Sequence, residues 1–424
     1  MQPIYDEIFS YVQSLPIIDT HEHLPYREDQ RETDTDVLRE YLVHYFSSDL
    51  VAAGMKRADM EAARDVSTPL MERWKMVEPY WQLARNTGYG RALDLTVQKL
   101  YGFPRIDAST IEGVNEAFRK TLQPGQNHYR HVLKDLCNIE FSVLDSDFNC
   151  DREFFRTIYN LDELVLPKSW DAIDELSQDT GMSITSFDDY LQACDAMIQL
   201  ALDKGAVALK CHAAYFRSLR FDNVPRCEAE RCFRDMLDVR GRSAWNPRPL
   251  QTAKAFQDYM MHHVLHCASR HRLTVQIHTG LQESGNNDIA NANPTLLSNL
   301  FIQYPEVKFD IFHIGYPYYH EMAALGKMFH NVYLDMCWAH IISPAASMQA
   351  LDEWLDSVPV NKILAFGGDY QIIDAVYAHQ LMARQHVSKV LARKVAEGIF
   401  TMKDAKWMAR RMFYDNPKAL FDRA

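Results

Sequence analysis

Apolar residues recur along this chain in two rhythms. Short, nearly continuous apolar runs of strand length occur at 17–23 (IIDTHEH), 139–145 (IEFSVLD), 163–167 (ELVLP), 206–211 (AVALKC), 273–279 (LTVQIHT), 307–314 (VKFDIFHI), 331–337 (NVYLDMC) and 362–367 (KILAFG). Between them, apolar residues fall every three or four positions, as on the buried face of a helix. The punctuation agrees. Ser186 and Asp189 stand at capping-box spacing ahead of a helix that Gly205 closes. Asn293-Pro294 and Ser343-Pro344 each put a capping residue before a proline at the first helical position. Helices over 251–270 and 319–329, a helical tail over 372–421 and a short helix over 1–15 complete the alternation.

Strands separated by helices, the later ones apolar enough to be buried on both faces, predict a (β/α)8 TIM barrel of the α/β class. An open doubly wound sheet holding a nucleotide is the alternative. No GxGxxG follows any strand, however, and the chain has only 16 glycines. The rhythm breaks twice. Residues 24–138 show helical periodicity at 37–53, 71–87, 90–100 and 110–122 and no clear strand. They predict a mostly helical insertion after strand one, able to cover an opening from above. Residues 213–247 predict an irregular, arginine-rich insertion after strand four. The whole of 1–424 is expected to form one domain, because barrels routinely use more than about 250 residues as a unit.

Composition narrows the partners. A formal net charge of −12 argues against nucleic acid, which is held by clustered Lys and Arg. No apolar run is long enough to span a bilayer, so no membrane partner is expected, and residues 1–15 lack the basic start and apolar centre of a signal peptide. The 8 cysteines form no CxxC pair. That predicts reduced thiols and a cytoplasmic location rather than a disulfide framework.

The polar residues gain meaning from the barrel. In such a fold the chemistry sits where strands end. Strand one ends in His21 and His23, which share a face because side chains alternate along a strand. Strand four ends in Lys210, with His212 two residues on. Strand five ends in His278, strand six in His313 and strand eight in Asp369. Taken singly, each has a plainer explanation: a core histidine, a helix cap, a lysine reaching solvent. Gathered on one rim, they are the nitrogen and oxygen donors that zinc, manganese or iron select.

This pattern resembles the amidohydrolase superfamily, metal-dependent barrels with HxH after strand one, Lys or Glu after strand four, His after strands five and six, and Asp after strand eight. The stretches HIGYP (313–317), FGGDY (366–370) and NPKALF (416–421) are similar to the branch containing small-acid hydrolases and decarboxylases. A further likeness, to uronate isomerases, rests on the helical insertion, on CWAHIISP (337–344) and on overall length. Uronate isomerases do not keep the whole histidine set, so the intact His278 and His313 favour a hydrolase-type site.

The resemblance implies one or two divalent metal ions per chain, zinc first, with manganese or iron as alternatives. His21, His23 and Asp369 would hold the first ion, and His278 and His313 the second. Lys210 would bridge them as a carbamate, which only a neutral amine can form; burial helps by lowering its pKa. His212 is a substitute ligand or a substrate contact. The leading expectation is hydrolysis of an amide, ester or lactone in a small carboxylate-bearing substrate by metal-activated water, with Asp369 as proton acceptor and His278 and His313 beside it. Arg217 and Arg220 are expected to pair with the substrate carboxylate, and Tyr215, Tyr316, Trp338 and His340 to line the pocket. The rivals are aldose–ketose isomerisation of a uronate and metal-dependent decarboxylation. A homo-oligomer is expected, as barrels of this type often form one.

Overall fold

The computed structural model describes residues 1–167, 170–238, 253–283 and 287–422. Its frame is one sheet of 8 strands in sequential order. These are β1 Ile17–Glu22, β2 Ile139–Leu144, β3 Phe155–Asn160, β4 Ala208–Cys211, β5 Thr274–Ile277, β6 Lys308–Ile311, β7 Val332–Asp335 and β8 Ile363–Leu364. Every neighbouring pair is parallel. The chain after β8 closes the ring onto β1: Thr20 N donates to Phe366 O at 3.1 Å, Asp369 N to His21 O at 2.8 Å and His23 N to Tyr370 O at 3.0 Å. This is the (β/α)8 barrel that the alternation predicts.

The helices stand largely where periodicity puts them. Phe187–Asp203 starts with the full capping box of Ser186 and Asp189, and Gly205 beyond it takes a positive φ of 93°. Ile373–Ala396 carries a buried arginine that ties the two ends of the chain together. Arg384 donates to Leu15 O at 3.0 Å and Cys137 O at 2.9 Å, and also to Val12 O. Those carbonyls lie at the C-terminal end of the Gln2–Ser14 helix, where Val12 O also accepts from the capping Leu15 N at 3.3 Å, and just before β2. One side chain thus fixes how the chain enters both β1 and β2.

Several elements differ from the sequence reading. The expected strand at 163–167 is a helix, Asp162–Val165, and the third strand lies earlier, at Phe155–Asn160. Leu164 and Val165 are apolar because they pack inward from a helical turn, while the true strand buries Phe155, Thr157, Ile158 and Tyr159 and carries the polar, half-buried Arg156 and Asn160. The helix expected over 37–53 is two, Val37–Leu42 and Phe46–Ala52, and Arg57–Arg64 and a π-helical turn at Arg130–Leu136 join the helical segment between β1 and β2. The stretch expected to be irregular contains a helix at Arg226–Asp238; its residues 239–247 lie outside the described ones.

The barrel interior is also more polar than the apolar runs suggest. Lys210, Gln276 and Asp310 stand at one level of register on β4, β5 and β6, all buried. Gln276 Nε2 donates to Asp310 Oδ2 at 3.1 Å and to Thr20 O at 2.9 Å. A hydrogen-bonded layer therefore floors the rim above it.

Candidate metal centre

The strand ends bring His21, His23, His212, His278 and His313 to one rim, together with Asp145 and Asp369. His21 and His23 point to the same side at the end of β1, and their Nε2 atoms are 3.3 Å apart. Asp369 follows the Gly367-Gly368 turn with a positive φ of 58°. Its Oδ1 lies 3.2 Å from His23 Nε2 and 3.7 Å from His21 Nε2, while Oδ2 lies 3.7 Å from His313 Nε2. One carboxylate therefore stands between both histidine pairs. The glycine before it has no room for a side chain, since a Cβ at Gly368 would overlap the buried Glu22 carboxylate. Glu22 Oε2 in turn accepts from Tyr370 N at 2.7 Å, and Asp19 Oδ1 accepts from Gly368 N at 3.0 Å. Two acids on β1 thus position the Asp369 turn.

The second pair shows what the donors need. His313 Nδ1 donates to Cys337 O at 3.0 Å, and His278 Nε2 to Leu281 O at 2.9 Å, because a carbonyl can only accept. Their other nitrogens, His313 Nε2 and His278 Nδ1, face each other at 3.0 Å. Burial pushes His278 well below its usual range and His313 down to about 4, so both rings are neutral near pH 7. Two lone pairs facing each other repel. A cation between or beside them removes that conflict, so the donor set fits a divalent ion.

The charges are arranged accordingly. Burial alone would raise the Asp369 carboxyl; the hydrogen bond with His23 and the fields of His313, His23 and His21 override it and hold it well below the carboxylate range. Burial, then Lys210 and His23, drive His21 far down. His23, opposed by burial, is raised overall by Asp369.

Other residues expected at the site are distributed unevenly. The Lys210 amine is buried, which lowers its pKa, and rests over the Phe312 ring 3.5 Å from its centroid. His212 Nε2 pairs with Asp145 Oδ2 at 3.0 Å. Trp338 lies 5.1 Å from His313 between ring centroids, and Tyr215 lies 4.6 Å from His278. Tyr316 is half-buried, and its carbonyl accepts from Leu281 N at 2.7 Å, beside the His278 loop. Three residues stand apart. Arg217 gives its guanidinium to Asp258 at 2.6 Å and Gln257 at 2.9 Å, so its donors are committed within the protein. Arg220 pairs with Asp222 and is 65% exposed. His340 packs against His386 and donates from Nε2 to Ala365 O at 2.9 Å, behind the β8 segment.

Three residues come to the rim without being singled out in the sequence. Asp145 ends a strand that is legible in the sequence, so the same strand-end rule finds it. Cys337 offers a ligand atom near those of His313 and Asp369. Tyr45, from the helical segment after β1, donates its hydroxyl to Asp369 O and stacks on Trp338 at 4.4 Å. Nothing local in the sequence marks Tyr45. A cavity of about 330 Å³ opens beside His23, with Arg31, Glu40, Tyr129 and Gln371 in its walls.

Comparison with known proteins agrees with this geometry. The amidohydrolase family model matches residues 205–423, just over half of the chain. Protein fluG of Emericella nidulans is 26% identical over 255 residues, covering 58% of this chain and 29% of that protein. The chain therefore corresponds to under a third of the length of that relative. Among solved structures, uronate isomerase from Thermotoga maritima has a TM-score of 0.82 at 16% identity, covering 99% of this chain and 97% of that one. Glucuronate isomerase from Caulobacter crescentus has 0.79 at 19%, covering 99% and 94%. A protein assigned as a metal-dependent hydrolase from Lactobacillus casei ATCC 334 has 0.69 at 18%, covering 98% and 97%. At these identities the likeness is one of fold.

Proposed function

The chain belongs to the amidohydrolase family, and on that premise we propose that it is a metal-dependent hydrolase of a small, carboxylate-bearing amide, ester or lactone. The observation that carries this reading is Asp369, whose two oxygens face the His21–His23 pair on one side and His313 on the other. His21, His23, His278, His313 and Asp369 are the residues that would hold the ion. A bound divalent ion supplies Lewis acidity toward a carbonyl and an acidified water.

The residues define the rest. Asp369 is ionised near neutral pH, so an oxygen of its carboxylate can take a proton from water and return it to a leaving group. The carbonyls of Cys337 and Leu281 fix the His313 and His278 rings, leaving one bare nitrogen of each on the site. Tyr45 and Trp338 cover the rim from the helical segment and from the end of β7, and exclude water from one side of it. Arg217 and Arg220 are engaged elsewhere; Arg31 lines the cavity that His23 also lines, gives one donor from each terminal nitrogen to Thr121 (O at 3.1 Å, Oγ1 at 3.3 Å), and offers its remaining donors to a substrate carboxylate.

A second reading, aldose–ketose isomerisation of a uronate, is favoured by one observation. The chain aligns over 99% of its length with two isomerases, so the resemblance in fold includes the helical segment above the rim. One experiment separates the two. The zinc- and manganese-loaded protein is incubated with a panel of lactones, N-acyl amino acids and hexuronates, and products are separated by chromatography and then read by mass. Hydrolysis adds one water to the substrate mass. Conversion of a hexuronate with no change in mass overturns the hydrolase reading in favour of the isomerase.

A further inference from the structure

Asp145 and His212 lie beside the metal-centre residues, yet the family resemblance gives Asp145 no role. Register explains its place. Glu22 on β1 pairs with Leu144 on β2, so the next residues, His23 and Asp145, stand side by side at the rim. Asp145 N donates to Glu22 O at 2.9 Å, which fixes that position. One ligand atom from each of His21, His23, Asp145 and His212 lies within 4.8 Å of the other three. Donors that share one zinc ion at about 2.0–2.2 Å can be no more than about 4.4 Å apart, so a small inward adjustment brings His21, His23 and Asp145 around a single ion, with His212 against Asp145.

The chemistry of Asp145 fits that role. It is largely buried, at 13% side-chain exposure, and among the described residues it pairs with no lysine or arginine. A carboxylate removed from water needs compensating positive charge, and its immediate partners are imidazoles. Its Oδ2 meets His212 Nε2 at 3.0 Å, which leaves Oδ1 for another partner. His212 is itself anchored, through its backbone N–H, to Asp162 Oδ2 at 2.8 Å. The chain Asp162–His212–Asp145 has the form of an outer hydrogen-bond shell that aims a ligand. The amine of Lys210, the residue expected to bridge two ions as a carbamate, lies over the Phe312 ring.

We propose that Asp145 is a further carboxylate ligand of the ion held by His21 and His23, with His212 as the positioning residue that orients it. This rests on the metal-centre reading above. The test uses the full chain, stripped with chelator and titrated with Co(II), followed by its visible spectrum. Asp145→Asn weakens Co(II) binding and changes the spectrum. His212→Phe weakens binding about 10- to 100-fold, as loss of a ligand's orienting partner does. Asp147→Asn, at an exposed position two residues on, binds as wild type. In wild-type crystals soaked with zinc, the anomalous peak lies within about 2.2 Å of an Asp145 oxygen, a readout that needs no variant.

Wild-type affinity and spectrum in Asp145→Asn, or a peak at His21 and His23 remote from Asp145, overturn this inference alone. No ion bound by the wild type overturns the metal-centre reading with it.

Discussion

Two histidine clusters sit on either side of the chain that follows β8, and they differ in what faces them. On the rim, His21, His23, His212, His278 and His313 meet Asp369 and Asp145. Behind it, His340, His379 and His386 gather between that segment and the Ile373–Ala396 helix, with His340 Nδ1 and His386 Nδ1 3.3 Å apart. Both clusters are largely buried, and each leaves a ring nitrogen without a partner, Nδ1 of His21 and Nε2 of His379. Among the described residues, however, no carboxylate forms an ion pair within the second cluster. Its rings meet two carbonyls, the Ser347 hydroxyl and one another. The two clusters thus differ in anionic donors, which the rim has and the described residues of the outer cluster lack. Carboxylates among buried histidines lower the energy of a cation there.

The largest expected effect separates the clusters by chemistry. Asp369→Asn should lower turnover about 10²- to 10⁴-fold, as loss of a general base does, while part of the metal stays bound. His386→Gln should leave the rate within about twofold, since a loss of turnover requires a transition-state contact that this residue does not make. Steady-state rates on whichever substrate the panel identifies check both.

The next tests the one place where the clusters meet. Gly368 lies against the Glu22 carboxylate, and its carbonyl accepts from His379 Nδ1 at 3.1 Å. Gly368→Ala forces a methyl into a buried acid and should cost more than about 2 kcal/mol in urea denaturation. Metal affinity should fall with it, because Asp369 is the next residue.

A smaller effect belongs to the outer cluster alone. Burial drives His340 down to about 4. As pH falls below about 6.5, the unfolded chain takes up a proton at this histidine before the folded one does, so stability falls between about 6.5 and 4. His340→Gln keeps a donor for Ala365 O and cannot titrate. Relative to wild type it should gain about 1 to 3 kcal/mol across that window, read from urea midpoints at several pH values. A constant difference would contradict the assignment of His340 as a buried neutral base. Smallest of all, Arg220→Ala, at a solvated pair outside both clusters, should change stability by less than about 0.5 kcal/mol.

These contrasts show where the sequence is legible. The barrel, the HxH pair, His278, His313 and Asp369 all follow from strand ends, because parallel strands deliver their last residues to one rim. Asp145 obeys the same rule at the end of an equally plain strand, but a lone acid beside a turn does not stand out as a histidine pair does. His340 misleads because a short helix after β7 turns it outward, a change of direction that no residue pattern announces. The third strand is hidden because apolar density is greater in the helix beside it. Tyr45 reaches the rim only through packing of a helical segment far from the strands it covers, and such contacts leave no local trace. Arg217 looks available in sequence, whereas Asp258 and Gln257, about forty residues on, claim it.

The rim, and not the outer cluster, should hold the divalent ion. Metal content per chain, measured by mass spectrometry on protein purified without chelator, decides between them. Wild type, His21→Ala/His23→Ala and His379→Gln/His386→Gln are compared. About one or two ions are expected in the wild type and in the outer-cluster variant, and about none when His21 and His23 are lost. Ions that persist without His21 and His23, or that vanish with His379 and His386, would contradict this assignment.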